Sequence, residues 1–500
     1  MTETNGRGRV FIEKLLTAVP GLDEALGGGL PEYSLNLIAG SPGAGKTTLA
    51  QQIMFGLATP ERPALYFTLV GEPALKMLRY QQQFSFFDPA KVGSSIRFIN
   101  LSQEVLDEDL NALLEIIERQ VEQANPGLVI VDSFRSAIRA ASADGGTTGL
   151  AAFSQRLALH LTAWQATTFL LGEYVEKESQ DNPAFTVADG VLWLSQNVER
   201  NSMVRKLQVV KMRGQAPVPG VHTIRISDAG IHVFPRILRR SPSDFSPAPE
   251  KRLSLGSPVL DKMLGGGIPA WNSVLVAGPS GSGKTALSAQ FMAEGLKLGE
   301  PGVVAVFEER PREYLKRAKA FGLDVEAMIH TGLLEIIDLR PLDLSVDEAL
   351  LEIEAAVDRV KAQRLVIDSL SGFELALAPT FREDFRESLY RMAGALTSTG
   401  VTVLMTAEVV VTSDTLQMSP ELVSFLTDDI ILLRYVEIEA RLRKVMTIVK
   451  MRSSWHSNEL RAYEVTDAGL VVGETLTGYT GIITGVAQRL EPHAAEPKEE

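Results

Sequence analysis

Cysteine is absent from all 500 residues, which excludes disulfides, thiolate metal sites and a cysteine nucleophile. Histidine is scarce. Six are present, among them His160, His222 and His456; none is paired at metal-ligand spacing, so they read as ordinary surface or core side chains. No run approaches the roughly eighteen uninterrupted apolar residues of a membrane span, and Met1-Thr-Glu-Thr-Asn-Gly6 lacks the apolar core of a signal peptide. The expectation is a cytoplasmic protein without membrane contact. Basic charge is also short, with 49 Lys and Arg against 62 Asp and Glu and a net charge of −13. Because neutralisation of phosphates dominates affinity for nucleic acid, such a partner is not expected.

The chain does have apolar residues, 45% of the total, enough for more than one large core. It also carries one phosphate-binding loop twice: Gly40-Ser41-Pro42-Gly43-Ala44-Gly45-Lys46-Thr47 and Gly278-Pro279-Ser280-Gly281-Ser282-Gly283-Lys284-Thr285. Each fits G-x-x-x-x-G-K-[ST]. Each follows a short apolar run (35–39; 274–277) and precedes a helix-compatible segment beginning at Thr48 or Ala286, the strand-loop-helix setting that the motif requires. Glycines let backbone N–H groups close around phosphate oxygens, the lysine reaches the outer phosphates, and the threonine hydroxyl can ligate magnesium. ATP and Mg²⁺ are therefore the expected ligands at both loops.

The repeat extends beyond the loops. Residues 20–31 correspond to 257–269, both ending Gly-Gly-Gly-x-Pro; 128–133 correspond to 365–369; and Lys211-Met212-Arg213 corresponds to Lys450-Met451-Arg452. Residues 226–231 match 465–470. This is one α/β unit duplicated. Short Val/Ile/Leu runs alternate with amphipathic stretches such as 110–121 and 346–360, which predicts mainly parallel sheets covered by helices on both faces. The expected layout is a first P-loop domain over 1–238, a Pro/Ser-rich linker over 239–251, a second domain over 252–485 and a polar, disordered tail over 486–500.

Asp132 and Asp368 each end an apolar strand, where a carboxylate can hold the magnesium shell beside the loop; a strand-end aspartate capping a turn is the plainer reading. In the second unit Glu308-Glu309 follows the strand 303–307 and is placed to orient a hydroxyl or water toward the γ-phosphate, with Lys284 as the catalytic cation. The first unit has Val70 and Gly71 in that frame, with Glu72 displaced by one residue, so its site is expected to bind ATP with weak or no hydrolysis. The paired cations Lys211/Arg213 and Lys450/Arg452 could stabilise γ-phosphate charge, within the chain or across a subunit boundary.

The motifs together resemble the KaiC family, the double-domain ATPases and autokinases of bacterial circadian clocks within the RecA-like superfamily. The likeness runs from about residue 15 to 490, and 429–437, 450–456 and 461–469 are similar to the family's second domain almost residue for residue. It implies two tandem RecA-like P-loop domains, a homohexameric double ring with ATP at subunit interfaces, and Lys211/Arg213 and Lys450/Arg452 reaching the neighbour's nucleotide. It also implies serine/threonine autophosphorylation in the second ring with Glu308 as general base. The family's adjacent pair of phosphoacceptors falls here on Ser424-Phe425, and Ser419 matches a further hydroxyl position. One acceptor of the pair therefore survives, Ser424. Residues 478–485 are similar to the family's C-terminal loop, but the short tail lacks apolar residues to dock a KaiA-like activator. KaiB-like or response-regulator-type proteins are the partner classes to test. Three functions follow in order: an ATPase and serine autokinase, an ATP-held signalling scaffold, and a RecA-like motor on DNA, which the acidic balance disfavours.

Overall fold

The computed structural model describes residues 12–69, 74–101, 110–134, 156, 165–175, 182–199, 202–236, 250–307, 310–320, 325–339, 344–377, 379–382, 385–409, 427–452, 454–467, 469–481 and 488–489. The chain forms two compact units, Met1–Arg236 and Ile237–Glu500. Among the described residues no helix is long and apolar enough to cross a membrane.

In the first unit a short antiparallel pair, β1 (Lys14–Leu15) and β2 (Leu30–Pro31), precedes the main sheet. That sheet contains β3 (Leu35–Gly40), β4 (Ala64–Thr68), β5 (Ile96–Asn100), β6 (Leu128–Asp132), β7 (Thr167–Glu173), β8 (Gly190–Glu199), β9 (Ser202–Met212), β10 (Val221–Ser227) and β11 (Gly230–Phe234). Its order is β11-β10-β9-β8-β3-β7-β6-β4-β5. From β8 to β5 every pairing is parallel, and β9 to β11 extend the sheet antiparallel. Both faces are covered, which is why β3 and β4 are buried at every residue and read as continuous rather than alternating apolar runs. Ile38, Tyr66, Ile130 and Phe169 face the helix Lys46–Leu57, whereas Leu37, Leu65, Phe67 and Val129 pack with residues of the helix Leu110–Ala124.

The second unit repeats the plan. After β12 (Arg252–Leu253) and β13 (Ile268–Pro269) come β14 (Ser273–Gly278), β15 (Gly302–Val306), β16 (Leu334–Asp338), β17 (Arg364–Asp368), β18 (Thr402–Glu408), β19 (Asp429–Ile438), β20 (Arg441–Met451), β21 (Arg461–Thr466) and β22 (Gly469–Thr475). Their order, β16-β15-β17-β18-β14-β19-β20-β21-β22, is that of the first unit read from the other edge. The two domains expected from the repeat thus share one topology. The helix Val346–Val360 shows how the sequence sets the elements: Ser345 Oγ accepts from Glu348 N (3.1 Å) while Ser345 N donates to Glu348 Oε2 (2.8 Å), a capping box. Ala349, Leu350, Ile353, Ala356 and Val357 are buried at helical spacing. The left-handed Lys361 (φ 55°) ends it.

Candidate nucleotide sites

Each loop joins the central strand of its sheet to the helix that follows, Lys46–Leu57 or Lys284–Lys297. Gly40 (φ 142°) and Gly45 (φ 102°) adopt backbone that side chains avoid, and a Cβ at Gly40 would overlap the Leu194 carbonyl. Gly43 and Gly281 match at φ 73°, and Gly45 and Gly283 at φ 102° and 104°. Ser41, Ala44, Ser280 and Ser282 complete the two turns, and Thr48 and Ala286 lie in the first turn of the helices. Lys46 Nζ donates to the carbonyls of Gly40 (3.1 Å) and Ser41 (2.8 Å), and Lys284 Nζ to those of Gly278 and Pro279 (both 2.9 Å). Both ammonium groups therefore lie against the mouth of their own loop. Burial lowers the Lys46 pKa, and the carboxylates of Glu173 and Asp132 oppose that shift.

Asp132 sits at the end of β6 beside the loop. Its Oδ2 accepts from Thr47 Oγ1 (2.9 Å) and from the buried Tyr66 hydroxyl (2.6 Å). Burial raises its pKa against those two hydrogen bonds and the Lys46 charge. In the second unit Asp368 Oδ1 accepts from Thr406 Oγ1 (2.5 Å) and Oδ2 from Ser288 Oγ (3.4 Å); Thr285 begins the helix on which Ser288 lies. In the first unit the Asp132 carboxylate beside the Thr47 hydroxyl is a hard-oxygen donor set of the kind that holds Mg²⁺ together with nucleotide phosphates, so those residues fit that ion, and Thr285 and Asp368 repeat the same residue types at the matching positions. The peptide bonds Asp132–Ser133 and Asp368–Ser369 are both cis, another match between the units.

The structure decides where the paired cations lie. β9 and β20 each carry a bulge, which leaves Val210 and Val449 unpaired just before the Lys-Met-Arg segment. Met212 pairs with Gly190, and Gly190 with Asn36. Lys211 and Arg213 therefore sit at the start of β3, while the loop follows its end at Gly40. Lys211, opposite Val191 and so level with Leu37, and Met212, level with Asn36, lie three and four residues before Gly40, about 10 to 13 Å of strand. Lys211 Nζ donates to Thr186 O (3.0 Å), Lys450 Nζ to Thr427 O (2.6 Å), and Arg213 reaches Asp189 (3.1 Å) while Arg452 reaches Asp428 (3.7 Å). Burial, and then the neighbouring arginine, lowers the pKa of both lysines. Each pair is thus held toward the other end of the strand from the loop of its own unit.

Glu308, Glu309, Ser419 and Ser424 lie outside the described residues, as do Val70, Gly71 and Glu72. Other residues at the sites were not evident from motifs. Tyr66 and Thr406 hold the strand-end aspartates, and Arg205 Nε donates to Gly43 O (3.2 Å). Asp189 and Asp428 tie the start of the loop strand, through Leu35 N and Ser273 N (3.0 Å each), to the arginine pair. A hydroxyl between apolar neighbours, Leu65 and Phe67 or Met405 and Ala407, is the available signal for Tyr66 and Thr406.

Two RecA-like α/β units in tandem, each with a loop, a loop lysine and a strand-end aspartate in register, define a double-domain P-loop ATPase. The chain belongs to the KaiC ATPase family, whose profile matches it twice, over residues 15–237 and 253–477. Among its relatives, the circadian clock oscillator protein KaiC of Picosynechococcus sp. is 28% identical over 504 residues, covering 98% of this chain and 95% of that protein. The circadian clock oscillator protein KaiC 1 of Synechocystis sp. is 29% identical over 497 residues, covering 96% and 93%, and the KaiC of Rippkaea orientalis is 28% identical over 506 residues, covering 98% and 94%.

Proposed function

We propose that this protein is a magnesium-dependent ATPase and serine autokinase that works as a cytoplasmic homo-oligomeric ring of the family's hexameric, double-layered type. Its phosphorylation or nucleotide state is the signal that a partner protein reads. The observation that carries this reading is the separation of each loop from the cations that would neutralise its γ-phosphate. Lys211/Arg213 and Lys450/Arg452 are anchored toward the other end of the sheet from their own loops, which supports completion of each site by the cations of another copy. In the second unit Glu308 takes the proton of Ser424 as its Oγ bonds to the γ-phosphorus; the bond from that phosphorus to the bridging oxygen breaks and ADP leaves. Glu309 orients the same site, Lys284 and the partner cations bear the phosphate charge, and Ser419 is the secondary acceptor. Magnesium, when bound, neutralises phosphate charge; Thr47 and Asp132, or Thr285 and Asp368, would hold it.

The first unit, with Val70 and Gly71 where the second has its glutamates, binds ATP and hydrolyses it weakly or not at all. That substitution favours a second reading for this half alone, a nucleotide-held scaffold. Incubation with magnesium and γ-labelled ATP tests the proposal, with Glu308→Gln as control. Label on Ser424 that the variant lacks supports the kinase; no label and no phosphate above the variant leaves the scaffold. Mixing Lys284→Ala protein with protein carrying Lys450→Ala and Arg452→Ala tests the shared site, since mixed rings regain intact interfaces.

A further inference from the structure

Asp132 and Asp368 occupy the same position of the repeat, yet different strands hold them. In the first unit the hydroxyl comes from Tyr66 on β4; at the matching position of β15 stands Val304, which has none. In the second it comes from Thr406 on β18, where β7 has Leu171. We infer that Tyr66 and Thr406 are equivalent positioning residues, each supplying the buried hydroxyl that fixes its strand-end carboxylate toward the magnesium shell of bound ATP from opposite flanking strands.

Reach explains why one is a phenol and the other a short alcohol. Thr68 pairs with Asp132 and Tyr66 with Ile130, so Tyr66 lies two residues below the carboxylate, about 6.6 Å along the strand. A tyrosine spans that gap and a threonine does not. Met405 pairs with Ile367, which puts Thr406 level with Asp368, where a threonine suffices. Both side chains lie on the sheet face that carries the loop helix, since Tyr66 packs with Ile38 and Ile130, and Thr406 shares the parity of Leu404. Thr406 is 0% exposed and Tyr66 likewise. Burial, together with the Asp132 charge, keeps the Tyr66 pKa well above its ordinary value, so the phenol remains a donor. In the first unit both protons arrive at Oδ2, from Thr47 and Tyr66. Such donors restrict the carboxylate's rotation, so its orientation is largely set before nucleotide binds.

This inference rests on the magnesium site of the proposed function, and its test separates the two. Binding of a fluorescent ATP analogue to the full-length protein is measured with magnesium and with EDTA. The Lys284→Ala background isolates the first site and Lys46→Ala the second. Tyr66→Phe, and Thr406→Val in its own background, are expected to weaken binding about tenfold with magnesium and to leave binding in EDTA unchanged. Adding Leu171→Thr to Tyr66→Phe moves the hydroxyl to the other strand and restores most of the loss. Equal losses with and without magnesium, or no loss in either variant, overturn the inference, as does failure of a folded double variant to recover. If Leu171→Thr prevents folding, the two single substitutions decide. A parent protein whose affinity ignores magnesium overturns the metal site itself; a magnesium-sensitive parent with indifferent variants overturns only the positioning role.

Discussion

Replacing Asp429 with asparagine is expected to stabilise the protein near neutral pH and to have little effect in acid. Asp429 opens β19 with 0% exposure; its Oδ2 accepts from Asn272 Nδ2 (3.1 Å), and its Oδ1 has no partner among the described residues. Burial, helped by the adjacent Asp428, raises its pKa from 3.8 to about 6, against the hydrogen bonds from Asn272 and the Arg452 backbone and the charge of Lys450. Between those two values the folded state holds a proton that the unfolded chain has lost. Stability therefore falls as pH rises through this window, and the loss is complete above about 6. At about 1.4 kcal/mol per unit, the ionised carboxylate costs on the order of 3 kcal/mol at pH 7.5. Asparagine keeps an oxygen for Asn272 and carries no charge. The assay is urea unfolding of parent and Asp429→Asn at pH 4 and pH 7.5, with the assembly state matched at both. A gain at pH 7.5 of at least about 1 kcal/mol that vanishes at pH 4 is expected. A gain equal at both pH values, or a loss at pH 7.5, would refute the reasoning, because it would mean that the charge is not what the site opposes.

Glu300 accepts from the wholly buried Arg364 at 2.7 Å, and the same guanidinium bonds the carbonyls of Ser254 and Phe291. Glu300→Ala should cost about 3–5 kcal/mol in urea unfolding, whereas Lys251→Ala, which removes the half-exposed partner of Glu300, should cost under about 1 kcal/mol. Ser345→Ala removes the capping box of 346–360 and should cost about 1 kcal/mol, read as a lower urea midpoint with unchanged slope. Gly40→Ala forces a Cβ into the Leu194 carbonyl at a φ of 142° and should abolish nucleotide binding at the first loop, measured with a fluorescent ATP analogue in the Lys284→Ala background.

Much of this molecule is legible in its sequence because the informative residues are local. Gly-rich loops, the lysines after them and the apolar runs ending in Asp132 and Asp368 each state their role within a few positions, and duplication states it twice. The amphipathic stretches 110–121 and 346–360 likewise become the helices Leu110–Ala124 and Val346–Val360. What could not be read depends on strand order. Tyr66 meets Asp132 because β4 lies beside β6, a neighbour relation that no motif encodes. Arg205 touches Gly43 across a hairpin and a sheet, over 162 residues of separation. The cations of Lys-Met-Arg were visible as a repeated pair, but their end of the sheet followed only from register. Asp429 is visible in the sequence only as the first residue of the stretch 429–437, and its burial follows from the fold.

The bulges at Val210 and Val449 fix those cations at the far ends of their sheets, with the loops at the near ends. On the proposed shared site, abundance itself becomes a control. If each site is completed by a second copy as proposed, a newly made chain at low concentration would bind ATP at its loops and leave it unspent. On that proposal turnover per chain should climb steeply with concentration and then level off, so that ATP would be consumed in proportion to finished assemblies and not to polypeptide. Dilution reverses the process without any inhibitor.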